Sequence, residues 1–383
     1  KAVIRRAKKR FKLCQDDESV ARDNCKEDFK FHHGDSYNGY QWPGDIQQTR
    51  LTEDRPSLTI NKTRQHNLQI INDAKKNKPG ILIRPTGGQA SYLSSQAMEA
   101  LVRHIEYNSH ADLAYGQAME FQVIGGIGYT RVGTEYIDEK SFNQKIVIYA
   151  VPDPLAVYID PAAQKKDKSD AKFNIIFESV LKAIFAEKYP DYVGHESHPA
   201  LGNTDDDWST KDTVRICEYY ERVDSEDMLY SFVDQAGTEQ TVLASTLNRD
   251  IIRLLKQDPK TKSRKVLVPE WKRYIIIGDT VAQEDLWPSK FPPLIPWIAE
   301  ETRIDGVLDR KGHTRALLDP QRMYNYMSSA AVEYGALQSK TPYVGSEASI
   351  EGNEDNWNSA NRVNYSVLTY KHIDDDGNKL DPP

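Results

Sequence analysis

The sequence predicts an α+β chain with a mixed α/β body, one long helix and a small loop-rich C-terminal segment. Three patterns carry that prediction. Apolar residues fall on one helical stripe through residues 1–33 (Ile4, Ala7, Phe11, Cys14, Ala21, Cys25 and Phe29), interrupted only at Glu18. Beyond Gly125-Gly126 the pattern changes to short runs typical of strands. From Asp319 to Pro342, Met323, Tyr324, Met327, Ala330, Ala331, Tyr334 and Leu337 recur at three- and four-residue steps, which gives one rod an apolar face.

In chain order, the first stripe is a helix, and its pattern makes Cys14 and Cys25 core residues rather than ligands or a redox pair. Gly34 to Gly44 is a turn-rich loop with Tyr37, Tyr40 and Trp42. A second helix spans Lys62 to Lys78 and stops before Pro79-Gly80. Two more follow near Gln96–Tyr107 and Ala111–Val123, with Ser109 and Asp112 at capping-box spacing between them. Strands are expected at Gly128–Ile137, Lys145–Val151, Leu155–Ile159 and Phe173–Phe177, then a helix over Val180–Tyr189. Asp191 to Asp212, with its acidic run Asp205, Asp206 and Asp207, reads as a mobile loop. Strands resume at Val214–Arg222 and Met228–Val233, then a helix near Leu247–Lys256, then strands near Lys265–Val268 and Tyr274–Ile277. Trp287 to Trp297 holds four prolines and reads as a stiff extended connector rather than a sheet interior. In the long helix Asp319 is the expected cap, Pro320 suits the first turn and Pro342 forbids continuation. Small residues around Ser328, Ser329, Ala330 and Ala331 let other helices approach closely, and those neighbours need not belong to the same chain. Gly345 to Pro383 is expected to be short-stranded and loop-rich.

Bulk properties narrow the class. With 383 residues the chain has material for two or three domains. A mean hydropathy of −0.67 and 28% charged residues fit an open, multi-lobed subunit. The net charge of −7 argues against a clamp that grips nucleic acid and is compatible with a conduit. Three cysteines without regular spacing give no disulfide framework and point to a reducing compartment. No apolar run approaches the length of a membrane span, so a soluble chain made in a cytoplasm is expected. The sequence opens on Lys1 and closes on Pro382-Pro383, and both ends read as cut.

Catalytic constellations are hard to find. Gly125-Gly126-Ile127-Gly128 follows a helix and opens a strand, the reverse of a phosphate-binding loop, so a tight turn is the plain reading. A nuclease would need carboxylates holding a divalent cation beside a lysine. Asp153, Glu178 and Lys182 approach that pattern, but Glu178 and Lys182 are four residues apart and straddle a strand–helix boundary. His195, His198 and Cys217 supply too few close ligands for zinc. In Asp374-Asp375-Asp376-Gly377 the glycine comes too early for a calcium loop, which leaves a turn. No catalytic residue, cofactor site or metal site is assigned.

Charge is more informative. Lys1, Arg5, Arg6, Lys8, Lys9, Arg10 and Lys12 place seven cations in the first twelve residues without an acid, a patch able to touch DNA or an acidic partner. Near the long helix, Arg310, Lys311, Arg315 and Arg322 oppose Asp305, Asp309, Asp319 and Glu333, a mixture suited to subunit pairing or to a weakly attractive wall.

Whole segments resemble one family. ARDNCKEDFKFHHGD, the run RPSLTINKTRQHNLQIINDAKKNKPGILIRP from Arg55 to Pro85, DPQRMYNYMSSAAVEYGAL, and the tail from Thr341 to Pro383 are similar to portal proteins of short-tailed double-stranded DNA phages. The resemblance runs in order from about residue 10 to the end and weakens between roughly Pro190 and Thr210. It implies a non-enzymatic, ring-forming subunit: a wing over 1–305, the first stem helix within 306–339 and the start of a clip over 340–383, the returning stem helix and crown lying in further sequence. It also implies a homo-oligomeric channel of twelve copies at one capsid vertex of the virion. Double-stranded DNA would pass through it during packaging and ejection, in a sequence-independent way. The implied partners are the terminase large subunit, a tail adaptor, and the major capsid and scaffolding proteins; no membrane is involved. On this reading the ring-interface or channel candidates are Arg310, Arg315, Arg322, Tyr324, Met327, Ala331 and Tyr334. Aromatic anchors for docking on the clip are Tyr343, Trp357, Tyr365 and Tyr370, with a small clip core as the competing role for Trp357 and Tyr365. The basic-patch candidates are Arg5, Arg6, Lys8, Lys9 and Arg10. The alternatives are a metal-dependent nuclease of the packaging machinery and an adaptor or scaffold protein that forms no channel.

Overall fold

A computed structural model describes residues 1–34, 40–53, 55–77, 80–86, 91–194, 212–233, 239–258, 261–338, 343–360 and 367–380. The chain is α+β and divides into two units, one built from Lys1–Asp28 and Asn67–Arg315, the other from Phe29–His66 and Ala316–Pro383.

Helix α1 (Ala2–His33) carries the predicted stripe, and Ile4, Ala7, Phe11, Cys14, Ala21 and Cys25 are all buried. Helix α2 (Gly44–Thr52) was not anticipated; Pro43 precedes it and Asp45 lies in its first turn. Helices α3 (Lys62–Lys76), α4 (Tyr92–Asn108) and α5 (Ala111–Gly125) follow. The expected capping box between α4 and α5 does not form. Ser109 ends α4, and the residue that starts α5 is His110, left-handed at φ 48° with no side-chain cap bond. The glycine cluster after α5 is a turn: Gly126 sits at φ 88°, and a Cβ on Gly128 would lie 2.0 Å from the Ala118 carbonyl oxygen.

In the first unit, strands β1 (Ile127–Tyr136) and β2 (Gln144–Ala150) form a hairpin, and β3 (Val157–Ile159) pairs with β4 (Phe173–Leu181). Helix α6 (Lys182–Lys188) starts two residues later than expected because Val180 and Leu181 stay in the β4 ladder. The two strands expected between Val214 and Val233 are one, β5 (Thr213–Val233). Its polar middle is held in the ladder by partner backbone rather than by burial, since Asp224 pairs with Pro269 and Glu226 with Leu267. Beyond it lie β6 (Glu239–Leu243), α7 (Arg249–Gln257), β7 (Lys262–Ile277) and β8 (Thr280–Trp287), with β7 again joining two expected strands. The large antiparallel sheet runs β3-β4-β5-β7-β8, and β6 pairs with β5.

The proline-rich connector is corrected in its second half. Leu294–Ile298 is β9, on the edge of the sheet β2-β1-β9, where Pro296 opposite Tyr129 removes no interior ladder bond. A hairpin of β10 (Glu300–Ile304) and β11 (Val307–Lys311) completes the unit.

Strand alternation sets the cores. Phe173, Ile175 and Phe177 of β4 face α1, where Ile4, Ala7, Phe11 and Cys14 meet them. Phe11, Tyr158 and Phe177 pack edge-on at centroid separations of 4.8, 5.1 and 5.8 Å, each pair worth about 0.5–1.5 kcal/mol beyond area burial. Ile176 and Tyr220 point to a second cluster with Ile127, Tyr129, Trp271 and Leu294.

The second unit centres on α8 (His313–Gln338), whose 26 residues give a rod of about 39 Å. It begins six residues before the expected cap. Asp319 and Pro320 therefore lie inside the helix, and the helical stop expected at Pro342 lies outside the described residues. Beyond it, the described part of 343–380 holds two short helices, α9 (Glu347–Ile350) and α10 (Glu354–Ser359), and one isolated bridge between Ile373 and Lys379, rather than short strands.

Candidate assembly interface

Helix α8 buries a polar face. Gln321, Asn325 and Ser329, spaced four residues apart, are almost wholly buried. They satisfy the backbone of an extended segment of their own unit. Gln321 Oε1 accepts from the N–H groups of Lys62 (2.9 Å) and Thr63 (3.0 Å), while its Nε2 donates to the Ile60 carbonyl at 2.8 Å. Asn325 Oδ1 accepts from Ile60 N at 3.1 Å, and Ser329 Oγ accepts from Leu58 N at 2.9 Å. The spacings explain the match: four helical residues rise about 6 Å and two extended residues about 6.6 Å, so alternate backbone groups meet successive turns. Asn325 Nδ2 also donates to Gln41 Oε1 at 2.9 Å, and Glu333 holds Arg50 (3.1 Å) and Arg55 (2.7 Å).

The opposite face is apolar and open. Met323 (66% exposed), Tyr324 (43%), Met327 (66%) and Tyr334 (69%) project from it, and Ala331 is exposed beside them. At 100° per residue Met323, Met327 and Tyr334 lie opposite Gln321, Asn325 and Ser329, with Tyr324 and Ala331 on the flank between the two faces. The stripe expected from sequence therefore exists with its apolar residues directed out of the chain. The side chain of Leu337 lies outside the described residues. Of the small residues, Ser329 is buried against Leu58 rather than open to a neighbour.

The predicted arginines divide. Arg310 lies on β11 and is buried between Glu301 (2.9 Å) and Glu18 (3.3 Å). Glu18, the break in the α1 stripe, also binds Arg22 at 2.9 Å, and Arg22 donates to the Leu155 carbonyl at 2.6 Å. Burial pushes Glu301 up, but Arg310 and Lys168 hold it below the usual carboxylate range. These charges border a cavity of about 20 Å³, room for about one water and far too small for a nucleotide. Arg315 binds Glu27 at 2.7 Å and Asp28 at 3.0 Å. Arg322 lies 5.5 Å over the Phe31 ring and 3.7 Å from Asp319. Sequence reasoning missed Glu18 and Glu301 as the partners of Arg310; the one available signal was a lone acid, Glu18, in an apolar stripe.

The basic patch also divides. Arg6 binds Glu221 at 2.8 Å; Arg10 binds it at 2.7 Å and the Tyr219 hydroxyl too. Arg5, Lys8, Lys9 and Lys12 are exposed.

At the C-terminal end, Trp357 is half-buried: its Nε1 donates to the Thr369 carbonyl at 2.9 Å, and Tyr343 packs edge-on at 5.7 Å. Tyr370 is exposed beside His372, and Tyr365 lies outside the described residues. Asp374 accepts the N–H groups of Asp376 (3.0 Å) and Asn378 (2.8 Å), and Gly377 takes φ 84°, so the acidic run is a turn. Asp153 caps a short 3-10 turn by accepting from Leu155 N at 2.8 Å. Cys14 and Cys217 are buried thiols pushed up by burial, and Cys25 is raised to about 12 for the same reason. His195 and His198 lie outside the described residues, as does most of the loop expected over 191–212. Among the described residues no cluster of three or more metal-ligating side chains occurs, and no helix is long and apolar enough to cross a membrane.

Among the described residues nothing covers this apolar face of α8, and exposed apolar surface of that sort is common at interaction sites. Comparison with known proteins gives the particular kind of protein. The chain belongs to the phage P22-like portal protein family, whose model matches residues 8–383. It is 24% identical over 396 aligned positions to the portal protein of Acyrthosiphon pisum secondary endosymbiont phage 1, an alignment covering 98% of this chain and 53% of that protein. The chain thus spans about half the length of this curated relative. The family is one of structural phage proteins.

Proposed function

We propose that the chain is a portal subunit that assembles through the outward face of α8 into a closed ring at one capsid vertex, a channel for DNA during packaging and ejection. The observation that carries this is the inverted helix: polar residues anchor α8 inward while Met323, Tyr324, Met327, Ala331 and Tyr334 face out. Fully burying each large apolar side chain contributes about 1.5–3 kcal/mol, so a few such residues per contact favour a stable interface. A closed ring needs a heterologous contact, with two different faces on every copy. In this reading residues 1–305 form the wing, 306–339 hold the first stem helix and 340–383 begin the clip. Tyr343 and Tyr370 offer the clip's exposed aromatic surface to the terminase large subunit and later to a tail adaptor. The wing meets major capsid and scaffolding proteins, and the subunit itself carries no catalysis. Twelve copies is the number the family resemblance implies.

Electron microscopy tests the reading on the protein alone and with Met327→Glu. Rings with a central hole in the wild type, lost in the variant with an unchanged subunit unfolding midpoint, are the expected result. Rings that persist in Met327→Glu would remove α8 from the interface, and monomers at every concentration would remove the ring.

A further inference from the structure

We infer that α1 carries a docking stripe for the phosphate backbone of duplex nucleic acid, made by Arg5, Lys8, Lys9 and Lys12. These four fall at i, i+3, i+4 and i+7 on one flank of the helix, and all are exposed. Among the described residues none of their side chains pairs with a carboxylate, whereas Arg6 and Arg10 on the other flank are held by Glu221. Lys1 extends the stripe at its start and Asp16 closes it.

The geometry favours a duplex over an acidic protein. Arg5 to Lys12 covers seven residues, a rise of about 10 Å. One strand of a duplex presents about three phosphates over that length, enough to engage four flexible cations. An extended acidic peptide turns same-face side chains every ~7 Å and would offer about two carboxylates, leaving cations unmatched. The stripe holds only cations, whose main target on a duplex is phosphate, with no amide or carboxylate to read adenine or cytosine and no exposed aromatic to stack on unpaired bases, since Phe11 is buried. Its contact is therefore with backbone, and it is independent of sequence. This goes beyond the portal reading, because it places a DNA contact on α1 rather than on a channel wall and does not require a ring.

The test is fluorescence anisotropy with a 30-base-pair duplex of mixed sequence, titrated between about 50 and 200 mM salt. Each phosphate contact adds about 0.9 to the slope of log affinity against log salt. Arg5→Gln/Lys8→Gln/Lys9→Gln/Lys12→Gln is expected to flatten that slope by about 2.7, the share of about three phosphate contacts. The half-variants Arg5→Gln/Lys9→Gln and Lys8→Gln/Lys12→Gln should each lose about half, and they serve if the fourfold variant fails to fold. A charge-matched control, Lys76→Gln/Lys140→Gln/Lys188→Gln/Lys256→Gln, should keep the wild-type slope. No duplex binding by the wild type, or equal slopes in the wild type and the stripe variants, overturns the inference. Displacement by poly-glutamate at equal charge concentration also overturns it and assigns the stripe to an acidic protein. Ring counts on the same samples are scored separately, so failure of the ring and failure of the stripe are distinguishable.

Discussion

Replacing Arg310 with Gln separates two roles for this residue, a side chain available to the channel or interface and a buried internal tie. Its guanidinium is 6% exposed and lies 2.9 Å from Glu301 and 3.3 Å from Glu18. At an effective dielectric of about 20, these separations give gross attractions of about 6 and 5 kcal/mol. Desolvation offsets most of that, yet losing the cation leaves buried Glu18 with Arg22 alone and half-buried Glu301 with Lys168 alone, which costs up to about 3–5 kcal/mol. Urea unfolding of Arg310→Gln, with hydrogen exchange on peptides covering α1 and β11, reads both the size and the place of the loss. The companion Glu301→Gln/Arg310→Gln should cost about 1–3 kcal/mol less than the sum of its single variants, because the carboxylate that lost its guanidinium partner is gone too. A loss below about 1 kcal/mol, or strict additivity, would refute the internal role and return Arg310 to the channel candidates.

Further expectations follow from single positions. Asn174 on β4 is fully buried and among the described residues neither atom of its side-chain amide meets a partner, so Asn174→Val should stabilise by about 1–2 kcal/mol; a lower urea midpoint would show that the amide is satisfied after all. Gly128→Ala puts a Cβ 2.0 Å from the Ala118 carbonyl oxygen and should cost about 3 kcal/mol or more, read as loss of soluble yield. His32 is lowered to about 4 by burial, with His33 and Arg64 adding to the effect. Its folded form resists protonation, so stability present above pH ~6.5 is lost as pH falls toward 4, amounting to about 2 kcal/mol by pH ~5. Denaturation of His32→Gln should lack that slope. Asp28 acts in the opposite sense, raised to about 7 by burial against the pull of Arg315, so its contribution is lost as pH rises from about 4 to 7. Asp28→Asn should abolish that decline.

Much of the fold was legible because apolar spacing reports secondary structure directly. The α1 stripe, β1, β2 and the α5-to-β1 turn could be placed from it. What stayed hidden has one physical origin: a partner distant in sequence decided the outcome. The polar middle of β5 reads as a break, but β7 supplies ladder partners through Glu226 opposite Leu267. Pro296 reads as an obstacle to a sheet, but an edge position tolerates it. Glu18 reads as a flaw in an apolar face, but Arg310 and Arg22 neutralise it. The charged candidates of the sequence were identifiable as charges, while the carboxylates that occupy them came from elsewhere in the chain.

Helix α8 shows why periodicity locates a face without saying what the face is for. Hydrophobic spacing is the same whether a stripe points into its own chain or toward another. The discriminating signal lay on the other side of the rod, where Gln321, Asn325 and Ser329 repeat every four residues, as inward amides and a hydroxyl do when they replace a missing strand. Such an anchor has a consequence for assembly. Apolar packing tolerates sliding, whereas hydrogen bonds to Leu58, Ile60 and Lys62 fix α8 at one axial register, because a shift of one residue would strand the buried polar side chains of Gln321, Asn325 and Ser329 at about 1–3 kcal/mol each. Met323, Met327 and Tyr334 are thereby held at set heights within their unit. A closed ring needs that, since an axial error at one contact would repeat at every copy and leave the last unable to meet the first.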